Sequence, residues 1–511
     1  MVLARALDHG ALIARGEPCL VCGPEVLTYE QAVRMSWQLA HLLTELAHPD
    51  ARPVAILSPN DPMAVLLEVA CVRAGITFMV LNARGTVEDH VDAIGRSGAS
   101  VLLYHDRLSS VAEGVRGGLS GFRLIPFGDA ERGERPLRSL LEGRPTDAGD
   151  LVPAEPPVAR LVTTGGTTGR QKLAGLTRAS LEAGFASIMM SLDRLPRRPV
   201  HLVVAPISHA AGSLLFPTLA HGGTNVLVPL PDPARLGEQL AQSRAALTFM
   251  PPTLLYMLLA QGALRGRDLG HLRYLMLAGA PTAPAKLREA IELLGPVVGQ
   301  FYAQTECIPF LTFMPPEELV DGDGQAREDM LTSCGRPTPL LEVSVMDEEG
   351  RILPPGSTGE VVVRGPQVFA GYVDDPTETE AARRFGWHHT GDVGKLDPEG
   401  FLRITDRKRD MIITGGFNVF PSEVEDVILA MPAVQECAVV GVSDPKWGEA
   451  VTAVIECKPG QVVSPAEVIA AVRERLGAIR APKAVHVAER LPRSPVGKVL
   501  RRAVREMLRS S

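Results

Sequence analysis

The chain has 511 residues, too many for a single hydrophobic core, and this length predicts about two to four domains. Its composition, with 45% hydrophobic and 22% charged residues, is that of a soluble globular protein. The formal net charge of -7 gives no general reason to expect nucleic acid as a partner. Glu68 and Arg73 interrupt the most apolar run, so no membrane span is predicted, and the N-terminus has no signal-peptide pattern.

The cysteines indicate a reducing environment. There are seven of them, an odd number, and most lie in apolar segments, so we expect a cytoplasmic protein. Cys19 and Cys22 form one CxxC pair, but no second pair or histidine cluster accompanies it. We therefore predict a structural pair on a strand rather than a zinc site.

The N-terminal part alternates between helical and extended patterns. The stretch LTYEQAVRMSWQLAHLLTEL predicts a helix with Thr28 as N-cap and Gln31 as its capping-box partner. Short apolar strands then alternate with helical stretches from PVAILS to SVLLYH, and the same texture returns from Val200 to Val298. This alternation indicates α/β layers built on largely parallel strands.

The C-terminal part has a different pattern of predicted helices and strands. From Leu341, the segment EVSVMDEEGRILPPGSTGEVVVRG indicates antiparallel strands joined by Gly/Pro turns, and after about residue 408 a compact α+β mixture follows. Basic residues then crowd the C-terminus against Glu506 alone, which predicts either a solvated helix end or a surface for a polyanionic small molecule. These basic residues are Arg490, Arg493, Lys498, Arg501, Arg502, Arg505 and Arg509.

The segment TTGGTTGRQK at 163–172 packs three glycines and four threonines into ten residues. It follows a predicted strand, VARLV at 158–162, and precedes a helical pattern, so we expect a loop between strand and helix. Glycine amides, threonine hydroxyls and a lysine suit a phosphate group. The P-loop pattern does not fit, because two residues separate Gly169 from Lys172, and an ordinary Gly-rich turn explains this loop alone about equally well.

The segment GQFYAQTEC at 299–307 is the second candidate for ligand binding. Tyr302 could stack on a planar base, Thr305 could bond a phosphate, and Glu306 is a hard oxygen ligand suited to magnesium. A capped helix start explains this segment alone about as well.

The segment HTGDVGKLDPEGFLRITDRKRDMIITGGFNVFPSEVE at 389–425 is more specific. We expect Asp392 to lie in a turn, where its carboxylate could accept two sugar hydroxyls, and Arg407 to reach ribose or phosphate oxygens. A fourth segment, LPRSPVGKVLRR, places Lys498 in a Pro/Gly loop.

In this order and at these spacings, the four segments resemble the signature of the adenylate-forming superfamily of acyl- and aryl-CoA synthetases, peptide-synthetase adenylation domains and beetle luciferases. The resemblance spans nearly the whole chain. It implies an α/β fold with a large N-terminal domain, residues 1–408, of layered α/β subdomains plus a small β-barrel-like region. A small mobile α+β C-terminal domain, residues 409–511, would carry the catalytic lysine.

The resemblance also implies roles for individual residues. Lys498 matches the adenylation lysine, Glu306 the magnesium ligand, and His209 the residue beside the acyl carboxylate; Thr305 joins them as a catalytic residue. Gly212 and Ala303 complete the acyl pocket with His209, Gly415 and Gly416 line the CoA site, and Arg409 is the domain hinge. The implied ATP and AMP contacts are Thr164, Gly165, Gly166, Thr167, Thr168, Gly169, Lys172, Gly279, Ala280, Pro281, Gln300, Phe301, Tyr302, Thr305, Asp392, Arg407 and Lys498.

Two departures from the family pattern lie in the Gly-rich loop. Gly165 stands where the family usually has Ser, and Gln171, Lys172 and Leu173 stand where it usually has Pro-Lys-Gly. These changes alter the stiffness of the loop and remove one hydroxyl donor. We expect them to affect the affinity for ATP more than the activity.

The implied activity is activation of a carboxylate by ATP and Mg2+, followed by attack of a thiol. The segment GGFNVFPSEVE resembles that of free-standing CoA ligases, so CoA is the expected acceptor and a carrier-protein phosphopantetheine arm is the alternative. The segments HAAGSLLFPTL, FMPPTLLYML and CIPFLTF supply small and apolar walls, which favours a fatty or aromatic monocarboxylate. A homodimer is left open.

Two other functional classes are alternatives to a ligase. A luciferase-like oxygenase shares every motif and is separated from a ligase only by light emission or oxygen uptake. A non-enzymatic nucleotide sensor is disfavoured by the joint presence of Lys498, Glu306 and Asp392.

Overall fold

The computed structural model describes residues 2–47, 52–119, 121, 123–128, 137–153, 155–164, 171–493 and 499–510. The helices are α1 Val2–Ala14, α2 Tyr29–Ala47, α3 Pro62–Ala74, α4 Val87–Ser97, α5 Ser109–Gly118, α6 Arg178–Ser191, α7 Ala210–Ala220, α8 Pro233–Gln242, α9 Pro252–Ala260, α10 Pro284–Leu294, α11 Pro376–Ala381, α12 Pro421–Leu429, α13 Pro465–Leu476 and α14 Arg501–Ser510.

The first fifteen strands belong to two large sheets. They are β1 Pro18–Cys22, β2 Glu25–Thr28, β3 Val54–Ser58, β4 Phe78–Asn82, β5 Val101–His105, β6 Arg123–Phe127, β7 Arg160–Thr164, β8 Lys172–Leu176, β9 Val200–Val203, β10 Thr224–Leu227, β11 Leu247–Met250, β12 Tyr274–Leu277, β13 Val298–Gln304, β14 Cys307–Met314 and β15 Arg336–Pro337.

The remaining strands lie in the C-terminal part of the chain. They are β16 Glu342–Met346, β17 Gly359–Arg364, β18 Gly371–Tyr372, β19 His388–Leu396, β20 Leu402–Arg407, β21 Ile412–Thr414, β22 Phe417–Val419, β23 Val434–Asp444, β24 Gly448–Cys457 and β25 Ala484–Ala488.

The predicted start of α2 is confirmed. The backbone N–H of Thr28 donates to Gln31 Oε1 at 2.9 Å, and the N–H of Gln31 donates to Thr28 Oγ1 at 3.3 Å. This reciprocal pair satisfies donors that the first helical turn leaves without partners, which is why the sequence signature works.

The two large sheets carry the predicted α/β layers. The seven-stranded sheet has the order β18-β8-β7-β4-β3-β5-β6, with β7, β4, β3, β5 and β6 parallel. The nine-stranded sheet has the order β15-β14-β13-β12-β11-β9-β10-β1-β2, and its strands from β13 to β1 are parallel. The carboxyl ends of parallel strands meet at one edge of a sheet, where ligands of such folds usually bind.

One hydrophobic core joins the two sheets. It contains Ile56 and Phe78 from the first sheet and Val203 and Met276 from the second. Helix α3 is buried along its whole length, as expected for a helix between layers. The two sheets therefore pack as one body, and their strand-end loops can contribute to one site.

The C-terminal strands form two smaller sheets. Strands β16, β17, β19 and β20 form an antiparallel sheet in that order, and β21 to β25 form a five-stranded sheet packed with α12, α13 and α14. The predicted antiparallel region and the α+β mixture are thereby confirmed. The expected barrel-like closure is wrong for the described residues, since no pairing joins β16 to β20 in the part of the chain that the structure covers.

The expected position of the Gly-rich loop between strand and helix is also wrong. A second strand, β8, follows the loop and pairs antiparallel with β7, so that Thr164 lies opposite Lys172. Helix α6 begins only after β8, capped by the side chain of Thr177. The apolar residues after Lys172 extend the sheet instead of starting the helix, because they are buried in its layer.

Cys19 and Cys22 lie on β1, as predicted, and are free thiols. Among the described helices, none is both long enough and apolar enough to span a bilayer.

Candidate active site

The carboxylate of Asp392 is the centre of a buried polar cluster. Its Oδ2 accepts hydrogen bonds from the Tyr302 hydroxyl at 2.5 Å and from Gln304 Nε2 at 2.7 Å, and its Oδ1 lies 3.3 Å from Nε of Arg407. Asp392 is only 4% exposed, while the Arg407 side chain is more accessible at 38%. The cluster therefore presents a fixed carboxylate beside a guanidinium that a ligand can reach.

The fold explains how these four residues meet. Asp392 lies on β19 directly opposite Arg407 on β20, next to a register shift, and not in the turn that we expected. Tyr302 and Gln304 come from β13 of the nine-stranded sheet. Burial and the nearby Asp392 raise the pKa of Tyr302 well above its ordinary value, so its hydroxyl remains a donor.

A second cluster surrounds Lys172 at the start of β8. Its Nζ lies 2.5 Å from Glu378 Oε2 of α11 and 4.7 Å from the centroid of the Tyr372 ring. The Tyr372 hydroxyl donates to Glu306 Oε1 at 2.7 Å. Lys172 and Glu306, which are separated by 134 positions in the chain, are thus linked through one aromatic ring.

The turn between β13 and β14 connects the two clusters. Gln304 binds Asp392 on one side, Glu306 binds Tyr372 on the other, and Thr305 lies between them. A row of polar groups therefore runs from Arg407 to Lys172. This arrangement is suited to an extended polyanion with a polyhydroxyl group at one end.

The segment Gly279–Pro281 follows β12, the parallel neighbour of β13. Gly279 has a φ of +89°, a left-handed conformation that favours glycine, and this turns the chain across the strand end. Next to it, the Thr282 hydroxyl is buried without a hydrogen-bond partner. The segment therefore lies at the carboxyl end of β12, the strand paired with the one that carries Tyr302.

Gln300 and Phe301 have their side chains in the protein interior. The Phe301 ring packs 4.4 Å from Phe310 and 5.6 Å from Phe249, measured between ring centroids. Gln300 is 9% exposed and donates to the Ser333 carbonyl at 3.4 Å. Their nucleotide contacts remain predictions.

His209 lies just before α7, near the carboxyl end of β9. Its Nδ1 is 2.8 Å from the Ser208 hydroxyl, and burial together with the charge of Arg160 lowers the pKa of His209 to about 4. A Cβ atom on Gly212 would lie 2.1 Å from the carbonyl oxygen of Ile207, so this glycine is required by backbone packing. Ala303 lies on β13 beside Tyr302.

The C-terminal candidates form an exposed hairpin. Gly415 and Gly416 have φ values of +58° and +81° between β21 and β22, and the N–H of Gly415 donates to the Trp447 carbonyl at 2.7 Å. Trp447 is 36% exposed, and the ammonium groups of Lys446 and Lys483 lie 4.8 and 5.3 Å from its ring centroid.

Arg409 lies in the turn that follows β20, with an exposed side chain. Some predicted residues fall outside the described residues: Gly165, Gly166, Thr167, Thr168 and Gly169 of the Gly-rich loop, and Lys498.

Sequence reasoning missed several members of the site. Gln304 carried no signal beyond its position in the segment 299–307. Tyr372 on β18 and Glu378 on α11 were missed because no local pattern connects them to Lys172, which lies about 200 residues earlier in the chain.

Comparisons with known proteins are consistent with this geometry. A family model described as "AMP-binding enzyme" matches residues 8–373, and one described as "AMP-binding enzyme C-terminal domain" matches residues 423–498. The medium/long-chain-fatty-acid–CoA ligase FadD8 of Mycobacterium tuberculosis is 35% identical over 508 residues, covering 96% of this chain and 87% of the relative.

Two further similarities concern other substrates. The feruloyl-CoA synthase of an Amycolatopsis species is 34% identical over 490 residues, covering 94% of each chain. The solved structure of the amide bond synthetase McbA from Marinactinospora thermotolerans superposes with a TM-score of 0.87 at 31% identity, covering 98% of this chain and 99% of that one.

Proposed function

The chain belongs to the AMP-binding enzyme family, and from that premise we propose that it is an AMP-forming acid–CoA ligase that acts on a fatty or aromatic monocarboxylate. The resemblance noted in the sequence is thereby confirmed at the level of the family. The two candidate classes of acid come from the names of two relatives. One is a fatty-acid–CoA ligase and the other is a feruloyl-CoA synthase.

The observation that carries this proposal is the polar row formed around the turn Gln304–Glu306. Asp392 and Arg407 offer a carboxylate and a guanidinium to the ribose of a nucleotide, and Lys172 offers an ammonium group to its phosphates. In this proposal the segment Gly279–Pro281, which follows the strand paired with β13, contacts the base together with Tyr302.

The proposed reaction has two steps. A carboxylate oxygen of the substrate attacks the α-phosphorus of ATP, the bond to the leaving pyrophosphate breaks, and an acyl-adenylate forms. The thiol of CoA then loses its proton to solvent, its sulfur attacks the acyl carbon, and the bond from that carbon to the AMP oxygen breaks. Charge that develops on the phosphates in the first step would be stabilised by ammonium groups, the role proposed for Lys172 and Lys498.

The donor set at Glu306 fits a magnesium ion. Mg2+ is usually held by one or two carboxylates together with substrate phosphates, and Glu306 is one carboxylate at the phosphate end of the row. When bound, the ion would neutralise charge on the phosphate oxygens. In this proposal Tyr372 orients the carboxylate of Glu306 by its hydrogen bond.

The exposed hairpin supports CoA as acceptor. Gly415 and Gly416 keep the backbone free of side chains, and Trp447 with Lys446 and Lys483 offers an aromatic face and two cations beside it. Such a surface is suited to an adenine nucleotide with phosphates. We further propose a cytoplasmic location, since all seven cysteines are free thiols.

The test is a panel of fatty and aromatic acids assayed with ATP and magnesium. With a suitable acid, the protein should exchange labelled pyrophosphate into ATP and release AMP, and CoA should convert the adenylate to a thioester that mass spectrometry identifies. Formation of ADP and an acyl phosphate would overturn the proposal.

The same assay separates the acceptors. A phosphopantetheine-loaded carrier protein and a small amine are each supplied in place of CoA, the amine because of the likeness to an amide bond synthetase. Adenylate formation without thioester from CoA would move the assignment to whichever acceptor is consumed. Light emission or oxygen uptake would assign the luciferase-like alternative.

The contact between Lys172 and Glu378 predicts an effect on nucleotide binding. If Lys172 binds phosphate, it must leave Glu378, so Glu378→Gln should lower the KM for ATP about two- to fivefold, the size of a partly exposed ion pair. The matched control is Glu380→Gln on the same helix, which should leave this KM unchanged. An unchanged KM in Glu378→Gln would show that Lys172 does not meet the phosphates.

A further inference from the structure

A buried charged pair contacts Ser208, the residue that precedes His209. Glu68 of α3 is 1% exposed and Arg160 of β7 is 6% exposed, and Arg160 Nη1 lies 3.6 Å from Glu68 Oε2. Arg160 Nη2 also donates to the carbonyl of Ser208 at 3.4 Å, and the Ser208 hydroxyl lies 2.8 Å from His209 Nδ1. A chain of polar contacts therefore leads from the interior to the imidazole.

This pair is poorly satisfied for a structural ion pair. Both carboxylate oxygens of Glu68 and Nε of Arg160 are buried without a hydrogen-bond partner. A buried pair with unmet hydrogen bonds contributes little to stability, and a well-packed apolar pair often serves as well. The presence of this pair between the two sheets is better explained by the hydrogen bond that Arg160 makes to Ser208 in the loop before α7.

We propose that Arg160 is a positioning residue for His209 and that Glu68 in turn fixes Arg160. The proposal rests on the proposed function and on the position beside the acyl carboxylate that the family resemblance implies for His209. If Arg160 has this role, the loop that follows β9 helps to select and orient the acid.

The loop is held from two directions. The side-chain amide of Asn60 donates to the carbonyls of Val203 and Ala205 at 3.3 and 3.1 Å, and its oxygen accepts from the N–H of Ile207 at 3.0 Å. Asn60 thus fixes the first half of the loop, and Arg160 reaches its second half at Ser208.

The charge of Arg160 has a second consequence for His209. Arg160 is the charged group that acts on this imidazole, Glu68 faces Arg160 from α3, and Cys71 lies near Glu68 on the same helix. Burial, and to a smaller extent the charge of Arg160, lower the pKa of His209 to about 4, so that the imidazole is neutral at neutral pH. No described residue bonds its Nε2, so this nitrogen remains for a ligand.

A neutral imidazole suits the first step. It can donate one hydrogen bond to a carboxylate and orient it, whereas a protonated imidazole would form an ion pair and make the oxygen a weaker nucleophile. Arg160 would therefore favour a carboxylate that is oriented but still reactive.

The experiment follows the imidazole of His209 by NMR titration of histidine-labelled protein, with the signal assigned by its loss in His209→Asn. In the unmodified protein His209 should stay neutral down to about pH 5. In Arg160→Gln combined with Glu68→Gln, the pKa of His209 should rise, because the one charge that acts on the imidazole is removed, although burial continues to lower it. Arg160→Lys, which keeps the charge, should retain the low value.

A kinetic measurement accompanies the titration. In pyrophosphate exchange, the double variant should raise the KM for the acid about tenfold, as expected for loss of one oriented hydrogen bond to a charged group, and change the KM for ATP less than about twofold. A parallel change in both KM values would indicate a purely structural role.

The outcomes separate this proposal from the proposed function. If His209 of the unmodified protein titrates near its ordinary pKa, the positioning role of Arg160 is wrong, and this holds even if the double variant fails to fold. If the titration follows the charge at residue 160 but no acid is adenylated, the contact stands and the proposed function fails.

Discussion

Replacing Lys498 by alanine is expected to slow adenylate formation by at least about 100-fold, roughly 3 kcal/mol, the effect of removing one preorganised charge donor from an active site. In the proposed mechanism its ammonium group is needed when a carboxylate approaches the negatively charged α-phosphate. It would not be needed when a thiol attacks a finished adenylate. The variant should therefore lose the first half-reaction and keep most of the second.

The measurement compares the two half-reactions directly. Pyrophosphate exchange reports the first, and thioester formation from CoA and a synthetic acyl-adenylate reports the second. The control is Arg502→Ala, a 60% exposed cation in the same basic segment, which should preserve both rates. If Lys498→Ala is equally impaired in both half-reactions, the proposed division of labour is wrong.

Proline at Arg409 is expected to separate the half-reactions in the other sense. A domain hinge must change φ and ψ between two arrangements, and proline fixes φ near about -65°. If the arrangement that it traps is the adenylating one, pyrophosphate exchange should survive while thioester synthesis falls by about 100-fold or more, roughly 3 kcal/mol.

Two features make this test interpretable. The side chain of Arg409 is exposed and, among the described contacts, its backbone N–H makes no hydrogen bond, so proline removes none of the recorded bonds. The control Arg409→Ala keeps a free φ and should leave both half-reactions nearly unchanged. Equal loss of both in the proline variant, with folding intact by circular dichroism, would show that Arg409 is not the pivot.

The proposed hinge lies next to a partly buried charge cluster. Arg501 contacts Asp406 at 3.0 Å and Asp410 at 3.3 Å, and it also binds Glu425 at 2.7 Å. Asp406 and Asp410 lie on opposite sides of the predicted domain boundary, which stays a prediction. A rotation about Arg409 would have to break the contact of Arg501 with one of them.

Local patterns determined the backbone of this protein well. The Thr28–Gln31 capping box is formed by residues close together in the chain, so it can be recognised without a fold. The apolar alternation that marks most strands is likewise a pattern of neighbouring residues, although the strands themselves form only by pairing. The motifs also identified the family, because each is a short segment whose chemistry is carried within it.

The errors arose where a strand depends on its partner. Asp392 was expected in a turn, yet pairing with β20 draws it into β19, and pairing with β7 makes a strand of the residues after Lys172. Strand formation requires hydrogen bonds to another segment, which a local pattern does not contain.

The sequence by itself determined the element types, the family and the chemistry of the single motifs, while only the tertiary structure decided which side chains meet. It placed Gln304 on Asp392 and Glu378 on Lys172, and it put Arg160 behind His209. Ion pairs with Glu436 and Glu425, which lie more than 50 residues earlier in the chain, also neutralise Arg493 and Arg501 of the basic C-terminus. The reason is physical: periodicity and turn propensity act between neighbours, but a contact across two sheets depends on how strands are ordered and packed.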